Sequence, residues 1–424
     1  MKKQLILGAA LAVLATPAFA TRARLLALGE SQTNLTGSQY IADNRNIFLN
    51  AAYLNNYSDM VYFELGGQGS DVLGTAATTR FADSDTSQQA EGGVFMKAGA
   101  LNYGVYYGRE SAYANEIRSY TRLFNEDIHE DNQIDLFVAG EAGVKWGANL
   151  TYSKSEDDSN NSEQDSLAAR GGVMGTNWEG FLNVSLSNKA GLDAVGNPGK
   201  DEFEGKLGYE LGGTYDLNGL KIFGYWRHAT WEQESDSQLA NPNTASDGSA
   251  YIGKADGTYN KYLVGVGRTE KISDRGTLFT KVSVDMTKRN LDTDDDGEAN
   301  LDDTTVPVVI GMEYDAESWL TLRGSIVQNI YGQTDNDYDD SLITAGVSQV
   351  VLGDRKPEKR TIANSTNVNM GATLKFGELA IDGIVGTNNG AGSVSNNAGS
   401  FNAQKKGVLA TDNLMSRVSM TYKF

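Results

Sequence analysis

The last twelve residues, Asn413 to Phe424, alternate without a break. Leu414, Ser416, Val418, Met420, Tyr422 and Phe424 fall on one side, and Met415, Arg417, Ser419, Thr421 and Lys423 on the other. Period two marks an extended strand whose two faces meet different surroundings. The pattern recurs upstream. Leu278, Thr280, Val282, Val284 and Met286 oppose Phe279, Lys281, Ser283, Asp285, Thr287 and Arg289. Val306, Val308, Ile310, Met312 and Tyr314 oppose Val309, Gly311, Glu313 and Asp315. Leu320, Leu322, Ile326 and Ile330 oppose Arg323, Ser325 and Asn329, and Val368, Met370, Ala372, Leu374 and Phe376 oppose Asn367, Asn369, Thr373 and Lys375. These segments predict an all-β chain.

The connections between such segments alternate short and long. Short ones fall at Gly99-Ala100, Lys145-Trp146, Thr176-Asn177, Asp216 to Gly219, Ser273 to Gly276, Ala316 to Ser318 and Gly377-Glu378. Long ones cover 68–89, 111–132, 157–164, 189–202, 234–257, 291–303, 332–362 and 389–412. A half-buried strand in a soluble sandwich also alternates, but a sandwich has no reason to sort its loops by parity. The chain resembles Gram-negative outer-membrane β-barrels, whose last strand carries apolar residues at every second position and ends on an aromatic. In such barrels tight turns lie on the periplasmic side and long loops outside. Seven short and eight long connections predict a transmembrane antiparallel β-barrel of sixteen strands over residues 58–424. A miscount of one hairpin within 58–110 would leave fourteen. A strand of about 11 residues tilted by about 40° spans roughly 28 Å, which matches the apolar band of these barrels.

The first residues are of another kind. Met1-Lys2-Lys3, an apolar run from Leu5 to Thr16, Pro17 and then Ala18-Phe19-Ala20 have the order of a secretory signal peptide with an A-x-A exit. Cleavage is expected near Ala20. It removes Lys2 and Lys3, two positive charges, so the formal charge moves from −19 to −21. Residues 21–57 do not read as a strand. Arg22 to Gly29 is rich in Ala and Leu, and the run Tyr40 to Leu54 contains Asp43, Arg45, Asn46 and Asn50. This run resembles the N-terminal motif of the FadL-type channels for hydrophobic compounds, with Ala51 where that family carries Pro. The resemblance implies a hatch folded inside the barrel, where those four polar residues meet a wet lumen.

Composition then fits the barrel. The chain has 424 residues, 48 Gly, 5 Pro, 20 Tyr, 5 Trp and no Cys, with a mean hydropathy of −0.40. Low hydropathy is what strands give when one face meets water inside. Tyr103, Tyr107, Tyr152, Tyr262, Tyr314 and Tyr422 fall near strand ends, where an amphipathic ring suits the headgroup layer. The acidity excludes a broad basic face for nucleic acid. The absence of Cys excludes disulfides and thiolate sites.

The polar strand faces place a mixed charge set in the lumen. Constriction candidates are Lys97, Arg170, Lys206, Arg227, Lys281, Asp285, Arg289, Glu313, Arg323 and Arg417, with Glu64, Asp135, Glu204, Glu210 and Asp382 as further acids. Rings of charged side chains set selectivity in pores. Asp292, Asp294, Asp296, Glu298 and Asp303 follow the D-x-D-x-D-G spacing of a calcium loop, with Asp303 in place of the usual final Glu. This predicts a Ca2+ site at the cell surface; no cofactor is required otherwise. His129 and His228 are the two histidines, and no nucleophile elbow, H-E-x-x-H pair or P-loop is present, so catalysis is not expected. The reading is a porin-like channel for passive diffusion of small solutes, set in outer-membrane lipid and open to homo-oligomer formation. Its alternatives are FadL-like uptake of hydrophobic compounds and a plugged barrel for surface interaction.

Overall fold

The computed structural model describes residues 21–30, 36–66, 89–109, 133–157, 162–193, 200–235, 253–293, 297–338, 358–361, 366–387 and 414–424. The signal-peptide stretch lies outside the described residues. The strands are β1 (Met60–Gly66), β2 (Gln89–Ala98), β3 (Leu101–Tyr107), β4 (Ile134–Ala142), β5 (Val144–Asp157), β6 (Ser162–Met174) and β7 (Trp178–Asp193). They continue as β8 (Lys200–Gly205 with Gly208–Leu217), β9 (Leu220–Ser235), β10 (Gly253–Lys271), β11 (Gly276–Thr293), β12 (Gly297–Glu317) and β13 (Leu320–Tyr338). The last three are β14 (Glu358–Thr361 with Thr366–Phe376), β15 (Leu379–Thr387) and β16 (Leu414–Lys423).

Each strand pairs antiparallel with its neighbours in sequence, and β1 pairs with β16, so the sheet closes on itself. The two halves of β8 share the partners β7 and β9 and form one stave. The two halves of β14 both lie against β13. Sixteen staves result, and the stretch 58–110 contributes three of them. Closure leaves the sheet without a free edge, as hydrocarbon requires.

The two faces differ as the alternation predicts. Phe63, Val94, Val264, Ile310, Ile326, Met370 and Val418 point outward and are exposed, whereas Phe95, Phe279, Ser283, Arg323 and Ser419 point inward and are buried. Trp178, Tyr215, Tyr314, Trp319, Phe376 and Tyr422 are exposed near the short-turn end, an aromatic girdle at one membrane face. Farther up the outer wall, Trp226 stacks on Tyr262 at 6.3 Å and meets Tyr209 edge-on at 5.0 Å.

Three spans that read as long loops are short. The described strands leave only 158–161, 194–199 and 294–296 between them. Their flanks are laddered and charged on the outer face, with cross-strand pairs such as Lys189–Glu204 at 2.9 Å and Lys288–Asp302 at 3.4 Å, while Ala190, Phe203, Leu291 and Ala299 are buried on the inner face. Beyond the membrane the outer face meets water, so the apolar-out alternation that marks the spanning strands stops there. The turn expected at Lys145-Trp146 is at Gly143 instead, where φ is +77°, a conformation open to glycine without strain.

Candidate functional site

Residues 21–30 and 36–57 lie inside the barrel. The helix α1 (Arg22–Ala27) starts at Thr21, whose hydroxyl accepts from the Arg24 amide at 3.1 Å. Two 3₁₀ turns follow, Asn44–Phe48 capped by the Asp43 carboxylate and Ala51–Asn55 capped by the Asn50 side chain. Capping oxygens take up amides that short helices leave open. Asn46 folds the segment back on itself, accepting from Ser38 N at 2.8 Å and donating to Ile41 O at 3.0 Å. All four hatch residues singled out in the sequence, Asp43, Arg45, Asn46 and Asn50, are essentially inaccessible.

Glycines on the wall let the hatch approach. A Cβ at Gly311 would stand 2.8 Å from the Leu28 carbonyl oxygen, and one at Gly147 would collide with the Ala51–Ala52 peptide. Gly311→Val is therefore expected to push the hatch from its seat at a cost of about 1–3 kcal/mol, read as faster hydrogen exchange at 22–28 with the barrel strands unchanged.

Ion pairs fix the hatch at both sides. Arg45 Nη1 lies 2.9 Å from Glu91 and 3.8 Å from Glu64, and Arg22 lies 3.7 Å from Glu91. Arg24 reaches Asp43 at 3.2 Å and Glu313 at 3.0 Å, and Arg323 joins Glu313 at 2.5 Å to Asp382 at 2.9 Å. Burial pushes the Asp43 carboxyl up to about 7, against the pull of Arg24 and of the Arg45 amide. Lys281 holds Glu30 at 2.9 Å and sits over the Tyr40 ring. Apolar contacts fill the gaps between these pairs. Phe48 packs against Tyr106 and Phe137, and Tyr40 stacks on Phe223 at 6.2 Å.

Between hatch and wall lies a partly open cleft of about 530 Å³, lined by Thr36, Arg109, Arg170, Asn183, Glu210 and Arg227 among others. A second, of about 400 Å³, shares Thr36, Glu210 and Arg227 and extends to Tyr40, Phe223 and Lys281. Arg109 and Arg170 converge on Asp135, each at 3.2 Å, and Arg227 Nε donates to Glu210 at 2.7 Å. The guanidinium fork suits carboxylates, here supplied by the wall itself.

The structure brings Arg170, Arg227, Lys281, Asp285, Glu313 and Arg323 to the inner face. Lys97 lies at the short-turn end of β2 and is exposed. Arg289 pairs with Asp303 toward the long-loop end. Arg417 is on β16 opposite Ile384; its side chain lies outside the described residues. Lys206 is on the outer surface, paired with the outward Glu232. The two halves of β8 pair with β9 one residue out of step, Trp231 with Gly205 but His228 with Tyr209. This bulge at 206–207 flips parity between Glu204 and Glu210, so Glu204 also faces out, toward Lys189.

In the acidic hairpin, Asp292 pairs with Glu298 and Asp303 pairs with Thr287, farther down the ladder. Asp294 and Asp296 lie outside the described residues. Extended pairing draws Asp303 away from Asp292 and Glu298, to Arg289. Among the described residues no group of His, Asp and Glu is placed to hold a metal ion.

Arg22, Arg24, Glu30, Glu91 and Arg109 join the hatch contacts or line the cleft, and the strand pattern alone does not single them out. A buried arginine pair in an otherwise Ala- and Leu-rich helix, Arg22 and Arg24, is the one sequence signal that marks them.

No protein-family profile matches the chain, and no curated protein matches it by sequence. Among solved structures it is similar to the Pseudomonas putida toluene transporter TodX, at 13% identity over 96% of this chain and 98% of that one, with a TM-score of 0.35. The Ralstonia pickettii toluene transporter TbuX gives 11% identity, the same coverages and a TM-score of 0.36. A Rhodopseudomonas blastica porin variant gives 11% over 86% and 99%, with a TM-score of 0.29.

Proposed function

We propose that this chain is an outer-membrane channel, porin-like in admitting small polar solutes, whose lumen the 21–57 hatch closes until it moves. The short-turn end with the C-terminal Phe424 faces the periplasm, and the long-loop end faces outward. The observation that carries this reading is the chemistry of the hatch seat. Its strongest attachments are ion pairs to wall residues, Arg45 and Arg22 to Glu64 and Glu91, Arg24 to Glu313, and Glu30 to Lys281, and water or a charged solute replaces such contacts more readily than an apolar core. The arginine-lined cleft beside Thr36 offers a passing solute polar partners.

The second reading is uptake of hydrophobic compounds. It is favoured by the cluster of Leu25, Tyr40, Ile41, Leu49, Phe223, Tyr225 and Leu263, which joins hatch and wall next to the smaller cleft.

Planar-bilayer recording separates the possibilities. The intact protein is expected to conduct rarely, and a chain lacking 21–57 steadily. Silence of both would remove the channel reading. Liposome-swelling rates with sugars and small organic acids, against partition of an apolar aromatic, then discriminate the two solute classes.

A further inference from the structure

We propose that the larger cleft is a subsite for a small hydroxy acid, a singly charged carboxylate that carries several hydroxyls, with Arg170 receiving the carboxylate. The proposal deepens the channel reading and rests on it for the route by which such a solute arrives.

The cleft has its cause in the register of the wall. Asn149, Arg170, Asn183, Glu210 and Arg227 are successive partners across β5 to β9. Their inward side chains form one row at the strand spacing of about 4.8 Å. The next inward positions toward the long-loop end are Ala168, Ser185, Gly208 and Ala229. Small side chains beside a row of long ones leave a concavity. Its volume of about 530 Å³ is in the range of small-molecule sites.

The lining selects the ligand. Arg170 donates to Asp135 at 3.2 Å and to Asn149 at 3.0 Å, both through Nη1. Nε and Nη2, the other edge of the guanidinium fork, have no acceptor among the described residues. Two parallel N–H groups on one edge are what a carboxylate accepts bidentately.

The remaining groups call for hydroxyls. Asn183 donates to Glu210 at 2.9 Å, while its Oδ1 is buried without a partner. Ser166 and Ser185 line the cleft with hydroxyls that bond no other described residue, and the hatch adds Thr36. Such groups are normally satisfied by a partner or by water, and a ligand hydroxyl supplies both a donor and an acceptor. Glu210 stands in the same row, its oxygens taken by Asn183 and Arg227. Its negative charge repels a dianion such as phosphate more than a monocarboxylate.

The test is isothermal titration of the full protein in detergent with D-glucuronate. The comparisons are D-glucose, which has the same ring without the carboxylate, acetate, which has no hydroxyls, and inorganic phosphate. Glucuronate is expected to bind roughly tenfold or more tighter than each of the three, as loss of a charge-assisted hydrogen bond implies. Arg170→Gln is expected to abolish that preference. Because Arg170 also holds Asp135, Ala168→Leu is the second variant. It fills the cleft without removing an ion pair, and is expected to weaken glucuronate by a similar factor. Absence of glucuronate binding would overturn the proposal, as would glucose, acetate or phosphate binding as tightly. Glucuronate binding that both variants leave unchanged would overturn it too. Titration needs no conduction. A barrel silent in bilayers that still prefers glucuronate therefore removes the channel reading alone, and one that conducts without that preference removes this subsite alone.

Discussion

Arg45→Met is expected to free the hatch and turn a rarely conducting barrel into one that is open most of the time. The Arg45 side chain is fully buried, lies 2.9 Å from Glu91 and 3.8 Å from Glu64, and stacks over Phe48 at 5.1 Å. Methionine keeps much of the volume and the contact with Phe48 but takes a buried guanidinium away from two buried carboxylates. Removing one partner of a buried pair costs about 3–5 kcal/mol. Even the lower figure shifts the population of released hatch by about a hundredfold, at 1.4 kcal/mol per decade. The seat uses inward side chains of β1 and β2 and none of their ladder bonds, so the barrel's thermal transition in detergent is expected to move little. Bilayer recording of open time, together with hydrogen exchange over 44–55, checks both halves.

Asp135→Ala is expected to destabilise the wall itself and to change ion preference. Asp135 accepts from Arg109 and Arg170, from Gln133 at 2.8 Å and from the Thr151 hydroxyl at 2.8 Å. Without it two buried guanidiniums face one another beside the larger cleft. The expected loss is again about 3 kcal/mol or more, read as a lower melting temperature in detergent. The added positive charge lies beside the cleft of the proposed path, so reversal potentials in a salt gradient are expected to move toward anion preference in hatch-deleted protein. Arg170→Met in the same background is expected to restore part of both properties by removing one of the two facing cations.

Much of the architecture was legible because a barrel wall obeys a local rule. Val418, Met420 and Tyr422 face out and Ser419 and Thr421 face in, as a two-residue period requires, and loop parity carried the strand number. The rule fails where its cause is absent. At Lys206-Leu207 one extra residue reverses the faces, and composition carries no mark of that insertion. Above the apolar band the outer face meets water, so the flanks of 158–161 and 294–296 pair without apolar residues on that face.

The hatch was legible as a segment, from Asp43, Arg45, Asn46 and Asn50, but its attachments were not. Arg24 and Glu313 are 289 residues apart, and nothing local links them. The charges that hold the hatch were visible as a list of luminal candidates and became a network only through the closure of the sheet.

A disulfide between hatch and wall tests the central claim most directly, and the chain has no cysteine to interfere. A Cβ at Gly371 would stand 2.7 Å from the Ala27 Cβ; a disulfide needs about 3.8 Å, a small backbone adjustment. In the Ala27→Cys, Gly371→Cys variant an intramolecular bond is expected to form on oxidation. The oxidised protein is expected to stay closed in bilayers, with openings returning on addition of reductant. Failure of the pair to cross-link, or equal conductance in the two states, would contradict a hatch that sits in the lumen and governs passage.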